Sequence, residues 1–255
     1  MKVVAVIPAR FASTRFPGKP LVLIDGEEMV VRVARRAARA RSVDRVIVAT
    51  DHDVIRDVVT RAGFDAVMTR ADHPSGTDRV AEAASGLDCD VVVNVQGDEP
   101  MLDPDHIDAA VAPFATDPDL RMGSLKTPLR DAADLWNPNC AKVVADADDF
   151  AIYFSRSPIP FVRDAMDGEP VREWRPEYDG VFFKHIGLYV YRRDFLRRFT
   201  AMPPSRLERI EKLEQLRAIE AGIRIKVPTV ESDSWGVDTP ADLERMRTRV
   251  GGREG

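Results

Sequence analysis

Arg10, Arg15 and Lys19 stand together in one short segment, Pro8-Ala9-Arg10-Phe11-Ala12-Ser13-Thr14-Arg15-Phe16-Pro17-Gly18-Lys19-Pro20, with Ser13 and Gly18 among them. Fixed cations, a hydroxyl donor and a glycine that lets backbone amides come close are what gripping a polyphosphate requires. A solvated basic loop is the plainer explanation. Against it, the proline and glycine residues restrict the shape of the segment, which a mere surface loop does not need. The segment is not a Walker loop, because no Gly-Lys-Ser/Thr follows a four-residue spacer, and it lacks Gly-x-Gly-x-x-Gly. Farther on, Gln96-Gly97-Asp98-Glu99-Pro100 offers a carboxylate, Asp98, at the end of an apolar run. A hard oxygen ligand facing a polyphosphate implies Mg²⁺. In Val237-Asp238-Thr239-Pro240 a terminal helix opens with Asp238 or Thr239 as its N-cap and Pro240 in the first turn, and from spacing alone Asp238 reads as such a cap. Asp98 and Asp238 could still hold one Mg²⁺ from opposite sides of a cleft, if the fold brings them together.

The elements that must position these residues follow from hydrophobic periodicity. Val3 to Ile7, Arg45 to Thr50, Asp65 to Met68 and Asp90 to Val95 read as buried strands, alternating with amphipathic helices over Met29 to Ala40, Val54 to Ala62 and from Val80 onward. Ser75 and Thr77 are both suited to cap the last of these. Such alternation predicts an α/β fold whose parallel sheet has right-handed crossovers, and the first loop and Asp98 then share the carboxyl edge where open sheets bind ligands. Beyond residue 100 the pattern loosens. A helix is expected over Ile107 to Phe114, strands over Arg121 to Thr127, Ala141 to Ala145, Phe150 to Phe154, His185 to Tyr191 and Ile223 to Val227, and one charged helix over Leu207 to Ala221. Pro158 to Gly180, rich in Pro, Asp, Arg and Glu, reads as a long excursion: a lid, a substrate wall, an oligomer contact or a mobile solvent loop.

A chain of 255 residues can bury an ample core. Cys89 and Cys140 match no metal spacing and no disulfide framework, which points to two small buried hydrophobes in a reducing cytoplasm. The start at Met1-Lys2 reads as neither signal peptide nor anchor, no run has membrane-spanning length, and a net charge of −5 argues against general nucleic-acid binding. Local basic clusters in an acidic chain suggest a small anionic ligand instead.

Taken in order, the segment from Pro8 to Pro20, then Met68-Thr69-Arg70-Ala71-Asp72-His73-Pro74-Ser75-Gly76-Thr77-Asp78-Arg79, then Asn94-Val95-Gln96-Gly97-Asp98-Glu99-Pro100 closely resemble the 3-deoxy-manno-octulosonate (Kdo) cytidylyltransferases, or CMP-Kdo synthetases. The resemblance continues through Asn137-Pro138-Asn139, Tyr153-Phe154-Ser155-Arg156, His185-Ile186-Gly187-Leu188-Tyr189, Leu213-Glu214-Gln215-Leu216-Arg217 and Gly236-Val237-Asp238-Thr239-Pro240, nearly the whole chain.

The resemblance implies a Rossmann-like nucleotidyltransferase fold in one domain, 1–255, with a substrate and dimerisation excursion over 155–205, and a homodimer. It implies that CTP and Kdo give CMP-Kdo and pyrophosphate on the path to lipopolysaccharide. By position, Arg10, Arg15 and Lys19 look like triphosphate ligands, Ala9, Ser75 and Gly76 fall where the family holds cytosine, and Gln96 lies near ribose and sugar. Asp98 and Asp238 match the metal pair, and Arg156, His185, Tyr189 and Glu214 match the sugar-acid pocket. Lys19, Arg15, Asp98 and Asp238 are the expected catalytic set. From the residues alone, His185 is a satisfied strand histidine and Glu214 a solvated helix charge.

Asn139-Cys140-Ala141-Lys142, Ser234-Trp235 and the stretch 163–183 depart from the family pattern, which leaves open whether an amino-substituted Kdo is preferred. A sialic acid cytidylyltransferase is the nearest alternative. The absence of Asp-x-Asp near Gln96 disfavours a glycosyltransferase, and the retained carboxylates and cations disfavour a regulatory nucleotide binder without turnover.

Overall fold

The computed structural model describes residues 1–12, 16–163, 166 and 171–251, with side chains to residue 248. Among these residues nine strands form one mixed sheet. Its parallel half consists of the first strand, Val3–Ala9, flanked by Arg45–Thr50 and Val91–Asn94, with Asp65–Met68 at the outer edge. The first strand is apolar throughout because it is central: Val3, Ala5 and Ile7 face one core layer, Val4 and Val6 the other. Helices Met29–Ala37 and Pro104–Thr116 supply the first layer, and Gly76–Ser85 and Arg193–Ala201 the second.

Phe183–Arg192 breaks the parallel order. It runs antiparallel to both Val91–Asn94 and Met122–Pro128, with a register shift between Ile186 and Val190 that contains Gly187. The expected excursion over 155–205 is therefore too wide, because its second half returns to the middle of the sheet. The part outside the sheet carries its own apolar cluster, in which Tyr178, Phe182 and Val171 pack on Leu129, Leu135 and Cys140. A second correction concerns the helix expected over Leu207 to Ala221. It is two helices, Arg206–Glu211 and Leu216–Glu220, parted at Lys212, whose φ of 54° is left-handed. Charge periodicity runs through this corner and hides it. Helices Ala132–Trp136 and Arg193–Ala201 lie outside the expected elements; the first is too short to show a period, while the second buries Phe195, Leu196 and Phe199 at helical spacing.

The carboxyl ends of the parallel strands converge as the alternation predicts. Ser75 caps the helix Gly76–Ser85, accepting from the Asp78 amide at 3.1 Å, so the choice between Ser75 and Thr77 falls on Ser75. At the other end of the chain Thr239, and not Asp238, caps the last helix, Pro240–Gly251: its hydroxyl accepts from the Asp242 amide at 3.2 Å. Leu243 and Met246 of that helix pack with Val237, Ile24, Met29 and Phe16, which draws the C-terminal segment beneath the first loop.

One contact sets how close the strand ends lie. A Cβ built on Gly97 would stand 2.7 Å from the Pro8 carbonyl oxygen, a backbone atom that cannot swing aside. Gly97→Ala therefore forces the Asp98 turn away from the first loop, and overpacking of this kind costs roughly 1–3 kcal/mol. The melting temperature is expected to fall by several degrees in a thermal melt; an unchanged melt would mean that the two loops are not held in backbone contact.

Candidate active site

Lys19 lies at the start of a single 3-10 turn, Lys19–Leu21, entered through Gly18 at φ 69°, a left-handed angle that a side chain at that position would disfavour. The loop closes on itself, with the Gly18 amide donating to the Phe11 carbonyl at 3.1 Å and the Lys19 amide to the Phe16 carbonyl at 3.2 Å. This aims the Lys19 ammonium between the two carboxylates: it donates to Asp98 Oδ2 at 2.7 Å and to Asp238 Oδ1 at 3.2 Å. The acids stand 140 positions apart in sequence and meet at one cation. A backbone bond reinforces the meeting, since the Val237 amide donates to the Asp98 carbonyl at 2.8 Å.

The neighbouring Glu99 adds no charge to the pair. Burial, then the Asp98 charge, pushes its carboxyl up to about 8, so at pH 7 it is mostly neutral. Close by, Lys184 donates to Asp233 at 2.9 Å and ties the segment leading to Asp238 to the sheet.

A cavity of about 260 Å³ opens over this pair, lined by Ala9, Arg10, Lys19, Ser75, Gly76, Arg79, Gln96, Asp98 and Asp238, with Pro8, Pro20, His73, Pro74 and Gly97. It brings together every residue expected at the nucleotide except Arg15, which lies outside the described residues. Gly76 packs here against the Pro8 ring, where an added Cβ would meet Cγ at 3.4 Å.

A second cavity of about 660 Å³ shares Ser75, Gly76 and Gln96 with the first and is also lined by Tyr189, Glu214, Thr77, Lys212 and Gln215. Gln96 stands between the two, its amide donating to the Gly187 carbonyl at 3.0 Å. Glu214 is no solvated charge. Its carboxylate accepts from the Thr77 hydroxyl, and burial raises its proton affinity. Tyr189 donates to Gln215 Oε1 at 3.0 Å. Arg156 and His185 stand outside the lining of this cavity. The Arg156 guanidinium donates to the carbonyls of Glu211, Pro138 and Lys212 at 2.6, 2.6 and 3.1 Å and so braces the corner at Lys212. His185 lies behind Tyr189 with ring centroids 5.4 Å apart, hydrogen-bonded to Ser124 at 2.8 Å, and burial holds it neutral by lowering its pKa to about 3.

Asp51 and Arg79 were not among the expected site residues. Arg79, only 3% exposed, donates to Asp51 Oδ2 at 2.8 Å and to the Thr69 hydroxyl at 2.6 Å. The other oxygen of Asp51 accepts from the Phe11 amide at 3.2 Å, and the Phe11 ring stacks on His52 with centroids 4.0 Å apart. This buried pair is a strut between the first loop and the helix that Ser75 caps. The sequence does hold a signal for it: Asp51, like Asp98, follows a parallel strand at its carboxyl end. On the helix that carries Arg79, Glu82 is hydrogen-bonded to His73. Among the described residues no group of three or more His, Cys, Asp or Glu side chains is placed to hold a metal, so a divalent ion here would take two protein carboxylates and fill its remaining positions with phosphate or water oxygens, as Mg²⁺ prefers.

Comparison with known proteins agrees with this geometry. The cytidylyltransferase family model matches residues 4–225. The 3-deoxy-manno-octulosonate cytidylyltransferase of Syntrophotalea carbinolica is 53% identical over 253 residues, 99% of this chain and 100% of that protein. The protein of the same name from Geobacter sulfurreducens is 52% identical over 257 residues, covering 98% and 100%. Among solved structures, CMP:2-keto-3-deoxy-manno-octonic acid synthetase in complex with CTP superposes with a TM-score of 0.90 at 40% identity, covering 99% of this chain and 100% of that one. The 4-diphosphocytidyl-2C-methyl-D-erythritol synthase of Anaerococcus prevotii, 11% identical with a TM-score of 0.63, shares the fold alone. With the paired carboxylates, the loop cations and the full-length similarity in agreement, the chain belongs to the cytidylyltransferase family, among the 3-deoxy-manno-octulosonate cytidylyltransferases.

Proposed function

We propose that this protein transfers CMP from CTP to the 2-hydroxyl of Kdo, releasing pyrophosphate. The convergence of Asp98, Asp238 and Lys19 on one cavity carries the reading. Ala9, Ser75 and Gly76 take the cytosine base, while Arg10 and Lys19, with Arg15 by sequence, face the triphosphate. Gln96 stands where ribose and sugar would meet, and Glu214 and Tyr189 offer the sugar acid hydrogen-bonding groups in the wider cavity. Arg156 and His185 do not reach this cavity and act as positioning residues: Arg156 braces the Lys212 corner and His185 backs Tyr189 from behind the wall.

In-line attack on the α-phosphorus is chiefly a matter of positioning and charge, so no covalent nucleophile is required. Asp98 and Asp238 already share one cation, which makes them a fit pair for Mg²⁺. Bound there, Mg²⁺ supplies Lewis acidity toward the α-phosphate and the attacking hydroxyl. Lys19, a compact charge, offsets the negative charge that builds on the phosphate.

The reading extends to a cytoplasmic homodimer on the path to lipopolysaccharide. Support for the dimer comes from Ala151–Ser155, which pairs only with Lys142–Ala145 among the described strands and presents Ile152 at 57% exposure, an apolar edge of the kind a second subunit covers. No helix among the described residues is long and apolar enough to cross a membrane.

A pyrophosphate-release assay with CTP, Mg²⁺ and Kdo, beside UTP and sialic acid controls, tests the reaction directly. Asp98→Asn is expected to lower kcat by roughly two to three orders of magnitude with the fold intact; near wild-type kcat at saturating Mg²⁺ would remove Asp98 from the metal site. Asp51→Asn keeps an oxygen for the Phe11 amide but strips Arg79 of its buried counter-charge. We expect KM for CTP to rise about tenfold, equivalent to ~1.4 kcal/mol, with a much smaller change in KM for Kdo. Unchanged KM values for both substrates beside a lowered melting temperature would show that the pair serves stability alone.

A further inference from the structure

Lys19 occupies the ground that the two carboxylates would offer to a divalent ion. Its ammonium is within 2.7 Å of Asp98 Oδ2 and 3.2 Å of Asp238 Oδ1, and its side chain is only 16% exposed. Mg²⁺ binds carboxylate oxygens at about 2.0–2.1 Å. An ion bound to the same two oxygens would lie close to the ammonium, and the two positive charges would repel each other in a partly dry site. The ammonium and the metal therefore compete for the same pair of oxygens.

From this geometry we infer that Lys19 is an exchangeable internal cation: it offsets part of the charge of the paired carboxylates while the nucleotide site is empty and hands them to the divalent ion when a triphosphate draws its ammonium away. The inference rests on the proposed metal pair and adds an order to it. Arg10 and Lys19 line the same cavity, so the phosphate tail that Arg10 faces is within the space into which Lys19 can turn. Gly18 and the single 3-10 turn fix the Lys19 backbone through four loop hydrogen bonds, counting Leu21 to Gly18 at 2.9 Å and Val22 to Lys19 at 3.3 Å. The exchange is thus a rotation of one long side chain on a fixed base and needs no movement of the sheet.

Two consequences follow. Without nucleotide the protein binds a divalent ion weakly, because the ion must displace an ammonium with no other anion to receive it. With nucleotide its affinity rises by more than the chelating power of the phosphates alone, and by linkage the metal tightens nucleotide binding by the same factor. A purely structural ion pair predicts neither, since its lysine would stay in place throughout.

The test is binding of Mn²⁺ alone to nucleotide-free protein, read by electron paramagnetic resonance of the free ion. Removing the ammonium takes a like charge away from the metal's position, and Lys19→Met is expected to bind Mn²⁺ at least about tenfold more tightly than wild type, since a like charge near a divalent ion is worth more than a decade in affinity even when well screened. Lys19→Gln, polar and of similar reach, should show the same gain if the Met variant folds poorly. Adding Asp98→Asn to either variant should abolish it. Mn²⁺ binding no tighter in both Lys19 variants than in wild type, while Asp98→Asn still removes the metal from the CTP complex, would overturn the exchange and leave the metal site standing. Undiminished Mn²⁺ binding in the double variant would instead overturn the metal assignment itself.

Discussion

Two carboxylates that are distant in the chain share one cation, and the rest of the site depends on that meeting. Asp98 and Asp238 would repel each other at this separation without a positive charge between them, and the ammonium of Lys19 supplies it at 2.7 and 3.2 Å. Neither acid is brought there by its own chemistry. Asp98 arrives because its strand is central and ends at the ligand-binding edge, with Gly97 allowing backbone contact with Pro8. Asp238 arrives because Val237, Leu243 and Met246 bury themselves with Phe16 and Ile24 under the first loop, and because the Val237 amide binds the Asp98 carbonyl. Hydrophobic burial thus supplies the free energy that holds two like charges together.

The buried Asp51–Arg79 pair plays the matching part on the opposite side of the nucleotide cavity. A buried ion pair is weak evidence for stability in itself, because desolvation offsets most of its attraction, whereas breaking one costs about 3–5 kcal/mol. Its value here is geometric. One oxygen of Asp51 holds Arg79 on the Ser75-capped helix and the other holds the Phe11 amide, so a single side chain sets the spacing between that helix and the first loop. Gln96 then joins the two cavities, anchored on the carbonyl of Gly187 at the irregular point of the antiparallel strand.

Much of this was legible in the sequence, and what was missed has physical causes. Buried parallel strands are apolar on both faces, so the run of strands from Val3 to Val95 announces itself, and with it the shared edge of the first loop and Asp98. The corner at Lys212 is hidden because one left-handed residue inside an unbroken charged, helix-forming stretch leaves no periodic trace. Glu214 looked like a solvated helix charge for the same reason, since its burial comes from Thr77, which is 137 positions away. Asp238 carried the signature of an N-cap, but the adjacent Thr239 does the capping, and only the resemblance to the cytidylyltransferases raised Asp238 above that reading. The role of Arg79 has no local signature, because nothing in its neighbours says that an arginine will be buried against a carboxylate that follows another strand.

The central claim is a shared position for cation and metal between Asp98 and Asp238. Anomalous diffraction from crystals of the protein with CTP and Mn²⁺ measures it most directly. The account predicts a Mn²⁺ peak coordinated by oxygens of both carboxylates, with the Lys19 ammonium moved from them onto the phosphates. A peak bound by neither acid, or Lys19 still bridging both with the metal elsewhere, would contradict it.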